Sequence, residues 1–267
     1  MSATLAARMV GADFLKLRKK RGTLVWALVL ILAPLLVFFV VRAAQHSSSP
    51  AANGPAGGVG GYTDALRVLA AFFGPLAAIM IGTDGGAGDL AAGVFRDLVV
   101  TGRSRLALFG ARVPAAVGLC WLVVVAGYAL TLIGTYALAS GTATPDGALV
   151  LNGLLFTLLS TGLVCVVAVG FSSLTGSRPA ALTVLIGWQL VASRILENIS
   201  SLGGSRKLIL SQAIAHFSPV NLGDGGGHGP RGGVTVTMST ATAVVVALGW
   251  LAVFLALGAW RTRTMDA

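Results

Sequence analysis

Charge is scarce in this chain. Only 10% of its 267 residues are Asp, Glu, Lys or Arg, against about 25% in an ordinary soluble domain. That is too little to coat a water-soluble fold of this size, and a hydrophobic share of 55% excludes a disordered chain as well. Cysteine is nearly absent. Cys120 and Cys165 each lie inside an apolar run with no His, Asp or Glu nearby in sequence, so they read as small packing residues rather than a disulfide or a metal site. Histidine is limited to His46, His216 and His228, which are dispersed. A site built from His216, Asp224 and His228 is weighed against simple solvation of a glycine-rich loop, and the loop is preferred. A membrane-bound enzyme needs His, Asp or Glu clustered at one face, and no such cluster is evident, so no catalytic or metal residue is expected. There is no P-loop, so ATP is not hydrolysed by that route. The stretch Gly86-Ala-Gly88-Asp-Leu-Ala91 formally fits a dinucleotide fingerprint. That fingerprint requires a preceding strand, whereas here an apolar run precedes it.

What the chain has is long uncharged apolar runs and a mean hydropathy of +0.86. A bilayer-crossing helix needs about 20 apolar residues. Six such runs are expected, at 24–42, 64–83, 113–139, 148–174, 180–196 and 234–260, making an all-α integral membrane protein with one membrane domain. A secretory signal is the competing reading of the first run, but the run is longer than a typical signal core and further spans follow it. Residues 43–63, rich in Ser, Gly and Pro, read as a flexible loop, and 85–112 read as a polar loop. With the N-terminus inside, the inner side holds Arg8, Lys16, Arg18, Lys19, Lys20, Arg21, Arg96, Arg103, Arg105, Arg112, Arg178, Arg261 and Arg263. The outer side holds Arg42, Arg67, Arg194, Arg206, Lys207 and Arg231, a bias of 13 to 6. The positive-inside rule then places both termini in the cytoplasm, and the net charge of +10 reports orientation rather than nucleic-acid binding.

Several segments carry more than a span. In residues 1–22, Leu5, Met9, Val10, Phe14 and Leu17 share a helical face opposite Arg8, Arg18 and Lys19. This predicts an interfacial helix whose basic cluster, Lys16, Arg18, Lys19, Lys20 and Arg21, meets anionic lipid. After the second span, Asp84 and Asp89 precede a short helical pattern of Leu90, Val94 and Leu98. Arg96 lies within that pattern, Gly102 can stop the helix, and Arg103-Ser104-Arg105 leads back to the membrane. A short amphipathic helix there suits docking of a partner, its apolar ridge in a groove and its charges setting register. Between the last two spans, 209–220 is apolar but too short to cross, contains Phe217 and is broken by Pro219. Arg194 and Glu197, three residues apart, can pair, as can Asp64 and Arg67. Gln189 is a polar residue within a span. Gly127, Thr131 and Thr135, with Gly134 nearby, form a small-residue stripe that permits close helix contact, either inside the chain or across a dimer.

The order of these parts resembles the membrane subunit of type-2 ABC transporters, the ABC-2 permease family. The stretch Asp89-Leu-Ala-Ala-Gly-Val-Phe-Arg-Asp-Leu-Val-Val-Thr-Gly-Arg-Ser-Arg105 is similar to that family's loop that contacts the ATPase. Asp84 or Asp89 stands for its acidic residue, with Asp where the family often has Glu. Ser104-Arg105 stands for its Ser-Arg pair, with Gly where the family often has Pro. The resemblance implies a homodimeric or heterodimeric permease with no cofactor of its own, ATP and Mg being held by a separate ATP-binding subunit. It also implies re-entrant helices in 197–233, so that Gln189, Arg194, Glu197, Phe217 and Pro219 become candidates for a pathway or outer gate. Pathway walls of Leu, Val, Phe and Ala suit an amphipathic substrate. The competing reading is an ATPase-independent secondary transporter or channel, which the absence of mid-span carboxylates or His disfavours; a membrane anchor or sensor is a further one. Arg outnumbers Lys 15 to 4, a bias pointing to a GC-rich bacterial genome and a bacterial cell membrane.

Overall fold

The computed structural model describes residues 3–93, 104–220 and 237–264. Every regular element among them is helical. In chain order these are α1 (Ala3–Lys19), α2 (Arg21–Ser48), α3 (Gly58–Ala91), α4 (Arg105–Ala137), α5 (Gly147–Thr175), α6 (Arg178–Asn198), α7 (Leu210–His216) and α8 (Thr240–Thr264). A 3₁₀ segment, Ser200–Leu208, joins α6 to α7. Six helices, α2 to α6 and α8, are long and apolar enough to cross a bilayer, which makes this a multi-pass membrane protein. Trp26, Val37, Val40, Ile133 and Val245 are all more than half exposed, an apolar belt that lipid, not water, can accommodate.

Successive spans alternate in direction. Lys20, Asp84 and Arg178 meet at one end of the bundle, and there Arg105 donates to the Arg263 carbonyl at 3.3 Å. At the other end, the Gly57 and Val59 N–H groups donate to the carbonyls of Leu138 and Ala143, both at 2.9 Å. The first is called the basic end below and the second the far end.

Local chemistry explains the helix ends. Ser104 caps α4 by accepting from the Ala107 N–H at 3.2 Å, and Asp146 caps α5 by accepting from Leu149 at 2.8 Å. Gly176 closes α5 in the left-handed conformation, φ 66°, and Pro179 sits in the first turn of α6. Inside α3, Val68–Phe73 winds as a π-helix just before Pro75. A proline lacks the N–H for the α-helical ladder, and a widened turn is one way to absorb that gap. A second π-segment, Trp188–Ala192, lies in α6.

Close contacts between spans use small residues. A Cβ on Gly82 would fall 2.6 Å from the Cys165 carbonyl oxygen, so α3 and α5 touch backbone to backbone. The Gly127–Thr131–Thr135 stripe turns inward: both threonines are fully buried, and Gly127 faces Ile31 and Leu69 while Gly134 faces the Phe39 ring. The stripe therefore seats α4 on α2 and α3 within one chain. Cys120 and Cys165 are buried free thiols, as expected of packing residues.

Several expected boundaries change, and α2 runs past its expected end at 42 to Ser48, into the stretch read as flexible loop. Residues 84–91 continue α3 instead of opening a loop, and 105–112 already belong to α4. Backbone hydrogen bonding extends a helix past the end of its apolar run wherever the flanking charges find partners, and here they do. The glycine-rich 57–61 is not a flexible linker: it starts α3 and is hydrogen-bonded to the α4–α5 turn, because side-chain-free backbone can approach that turn closely. The last span begins at Thr240 and runs to Thr264.

Candidate functional site

Two groups of polar side chains stand out, one at each end of the bundle. At the basic end, Asp84 and Asp89 on α3 are buried. Asp84 accepts a hydrogen bond from the Thr23 hydroxyl and one from Lys20 Nζ at 3.5 Å. Arg178 Nε also approaches it at 2.9 Å, off the line of its N–H, as an ion pair. Asp89 accepts from Lys16 Nζ and from Arg112 Nη2, the latter at 3.0 Å. Arg112 donates in addition to the Gly86 carbonyl at 3.4 Å, which also receives the Ser173 hydroxyl at 3.3 Å. Burying these charges is tolerable only because each carboxylate meets two cations. Asp13 lies beside Lys16 at 3.4 Å. Burial raises its carboxyl above the usual carboxylate range, against the opposing pull of Lys16 and Arg112.

This junction draws α1, α2, α3, α4, α5 and α6 together. It also accounts for α1, whose apolar residues Val10, Phe14 and Leu17 pack into the protein core, with Phe14 against Gly118 of α4. Of the predicted apolar face, Val10, Phe14 and Leu17 are covered by protein. Arg18, Lys19 and Arg21 stay exposed, whereas Lys16 and Lys20 turn inward to the aspartates.

The residues read as an ATPase-docking segment thus divide. Asp84, Asp89 and Leu90 belong to α3, and both aspartates are engaged in the junction rather than offered at a surface. Ser104 is a helix cap, and Arg105 reaches the end of α8. Val94, Arg96, Leu98 and Arg103 lie outside the described residues. Arg112, Arg178 and Thr23 were not singled out by the sequence. No spacing in the sequence announces the pairing of Lys16 with Asp89 or of Lys20 with Asp84, which lie 73 and 64 residues apart.

At the far end, a cavity of about 280 Å³ opens among α3, α5, α6, α7 and α8, close to the lower limit of small-molecule sites, roughly 300 Å³. Its walls are apolar, with Ile79, Phe156, Val164 and Val167 deep inside. Four aromatic rings, Trp188, Trp250, Phe254 and Phe171, form a continuous ladder with centroid separations of 5.9, 5.5 and 6.0 Å. Polar groups gather on the rest of the lining: Arg67, Gln189, Arg194, Glu197, Ser211 and Gln212. Glu197 is buried, pairs with Arg194 at 3.3 Å and accepts from the Ser211 hydroxyl. Arg67 pairs with Asp64 at 2.9 Å, and Arg42 approaches the same carboxylate at 3.8 Å. The two ion pairs foreseen from i, i+3 spacing are therefore present.

Gln189, Arg194 and Glu197 line the cavity, but Phe217 and Pro219 do not. Phe217 packs with Ala213, Ala243 and Val246 where α7 meets α8, and Pro219 sits in the bend beyond α7. The apolar stretch before Pro219 is indeed short: α7 has seven residues. It is tied to α8 through the Trp250 indole N–H, which donates to the Leu208 carbonyl at 2.8 Å. Both π-segments contribute to the cavity, with Ala70 and Ala71 from α3 and Trp188 and Gln189 from α6. Among the described residues no group of His, Cys, Asp and Glu is arranged to hold a metal ion. No family model and no curated protein matches this chain.

Proposed function

We propose that this chain is the membrane permease subunit of an ATP-driven exporter for an amphipathic substrate, itself non-enzymatic, with ATP and Mg handled by a separate subunit. It works as a homodimer or heterodimer in a bacterial cell membrane, with the basic end and both termini on the cytoplasmic side. The observation that carries this reading is the buried junction at the basic end. It locks the amphipathic α1 to the end of α3, immediately before residues 94–103, within the stretch that resembles an ATPase-contacting loop. A push received there reaches four spans at once through Asp84 and Asp89. Coupling requires that the ATPase favour one arrangement of those spans over another.

The test is whether an ATP-binding cassette protein is encoded next to this chain and co-purifies with it. Leu98→Asp and Arg96→Glu are expected to abolish the association. If both variants retain it, the docking assignment falls. One observation favours a second reading, an ATPase-independent transporter: Glu197 is a buried carboxylate in the wall of a membrane cavity. Substrate movement in ATP-free vesicles, driven by a proton gradient and lost in Glu197→Gln, would establish that alternative.

A further inference from the structure

The far-end cavity has a shape, a charge and an opening. Its lining runs along α3 from Arg67 to Ile79, twelve residues, or about 18 Å along the helix axis. It is a slot parallel to the spans with its charges at one end. The lining holds two guanidinium groups, Arg67 and Arg194, against one carboxylate, Glu197. Counting the ion-paired neighbours gives the same sign: Arg42, Arg67 and Arg194 face Asp64 and Glu197, and Arg206 adds a fourth cation by donating to the Glu197 backbone carbonyl at 3.3 Å.

Two polar groups on α6 extend the charged end. Residues five apart on a regular α-helix diverge by about 140°. The extra residue in the π-turn Trp188–Ala192 brings Gln189 and Arg194 to one wall. The Gln189 amide has no hydrogen-bond partner among the described residues. Arg194 has five N–H donors and is seen to use one, toward Glu197. Val184, part of the same lining, is 53% exposed six residues into the 21-residue span Arg178–Asn198, so the slot opens sideways at membrane depth.

We infer that this cavity binds one anionic phospholipid of the surrounding bilayer. One acyl chain lies along the slot against the Trp188–Trp250–Phe254–Phe171 ladder, and the phosphate sits between Arg67 and Arg194 within reach of the Gln189 amide. A guanidinium pairs with phosphate through parallel charge-assisted hydrogen bonds, and the apolar slot removes the chain from competition with the headgroup region. The site lies within one chain, needing neither a second copy nor an ATPase. The inference deepens the transport reading by giving the amphiphile a place and a sign of charge.

The experiment uses the purified full chain in nanodiscs without ATP or partner, so its failure leaves the transport reading to its own test. The probes are phosphatidylglycerol and phosphatidylcholine carrying a diazirine in one acyl chain, with adducts mapped by mass spectrometry. The lipid-facing surface around Val245 serves as the internal reference. Labelling of Phe156, Val164 and Phe171 is expected to favour phosphatidylglycerol about tenfold over that reference, the effect of one charge-assisted contact. Arg194→Gln is expected to bring the preference close to that of the reference surface, and Arg194→Lys to restore part of it. Val167→Trp, with Ser160→Phe as a second filling variant, is expected to remove cavity labelling by both lipids. Equal labelling by the two lipids, or labelling that survives a filled slot, overturns the inference.

Discussion

The two ends of this bundle use the same chemistry to opposite effect. At the basic end, Asp84 and Asp89 are each satisfied by two cations, and the shallow hollow of about 420 Å³ beside Asp84 is lined by those partners themselves, Lys20 and Arg178. At the far end, Glu197 and Arg194 pair beside a cavity, with N–H donors of Arg194 left over. One end is a joint whose carboxylates are each held by two cations, and the other a socket whose buried carboxylate has one. The difference is one of packing. Gly82 and Gly86 bring α3 flush against α5 near the basic end. Nearer the far end, the π-turns in α3 and α6 border open space. Ion pairs in a membrane protein therefore need to be judged by what surrounds them rather than by their number.

The sharpest way to break the comparison is to remove one cation from each end. Arg112→Met leaves Asp89 buried with a single partner and is expected to cost about 3–5 kcal/mol, read as a large loss of thermal stability in detergent. Arg194→Met is expected to cost much less, since Glu197 keeps the Ser211 hydroxyl and Arg194 is itself partly exposed. Equal losses would erase the distinction between joint and socket. Packing gives the next effect. Gly82→Val drives a side chain into the Cys165 carbonyl and is expected to cost at least about 1–3 kcal/mol, whereas Val164→Leu, grown into open space at the far end, is expected to be neutral or stabilising by the same thermal measurement.

The smallest effect belongs to Asp13. Its carboxyl is raised above its ordinary 3.8 by burial, so the fold favours the protonated form. That contribution is complete below the ordinary value and is lost as pH rises through the raised one. Asp13→Asn is expected to flatten the fall in stability as pH rises above 3.8, and to be no less stable than the parent once that fall is complete. A steeper profile in the variant would count against it.

Much of this architecture is visible in the amino-acid order, and the reason is periodicity. Six apolar runs mark six spans because lipid permits nothing else at that depth. The face of α1 shows in Leu5, Met9, Phe14 and Leu17, and the pairs Asp64–Arg67 and Arg194–Glu197 show because local spacing alone brings them together. Partners distant in sequence do not show. Nothing near Asp89 announces Lys16, 73 residues away, and so the helical 84–91 and 105–112 read as polar loop. Gly57 to Gly61 misleads for the same reason, since close packing and flexibility call for the same residue. The cavity is the least legible part. Gln189, Arg194 and Glu197 stand out as polar groups at a span, but the slot they border arises from two π-turns, which no hydropathy pattern records.

The length of α3 has a consequence of its own. Its 34 residues from Gly58 to Ala91 measure about 51 Å, while the hydrocarbon layer is only about 30 Å thick. Asp84, 26 residues along, stands about 39 Å from the start. The helix overshoots the oil even when tilted, so the aspartates and their cations need never be dragged through it. They form a plinth, a rigid shelf of paired charge carried on the overhang of one long helix.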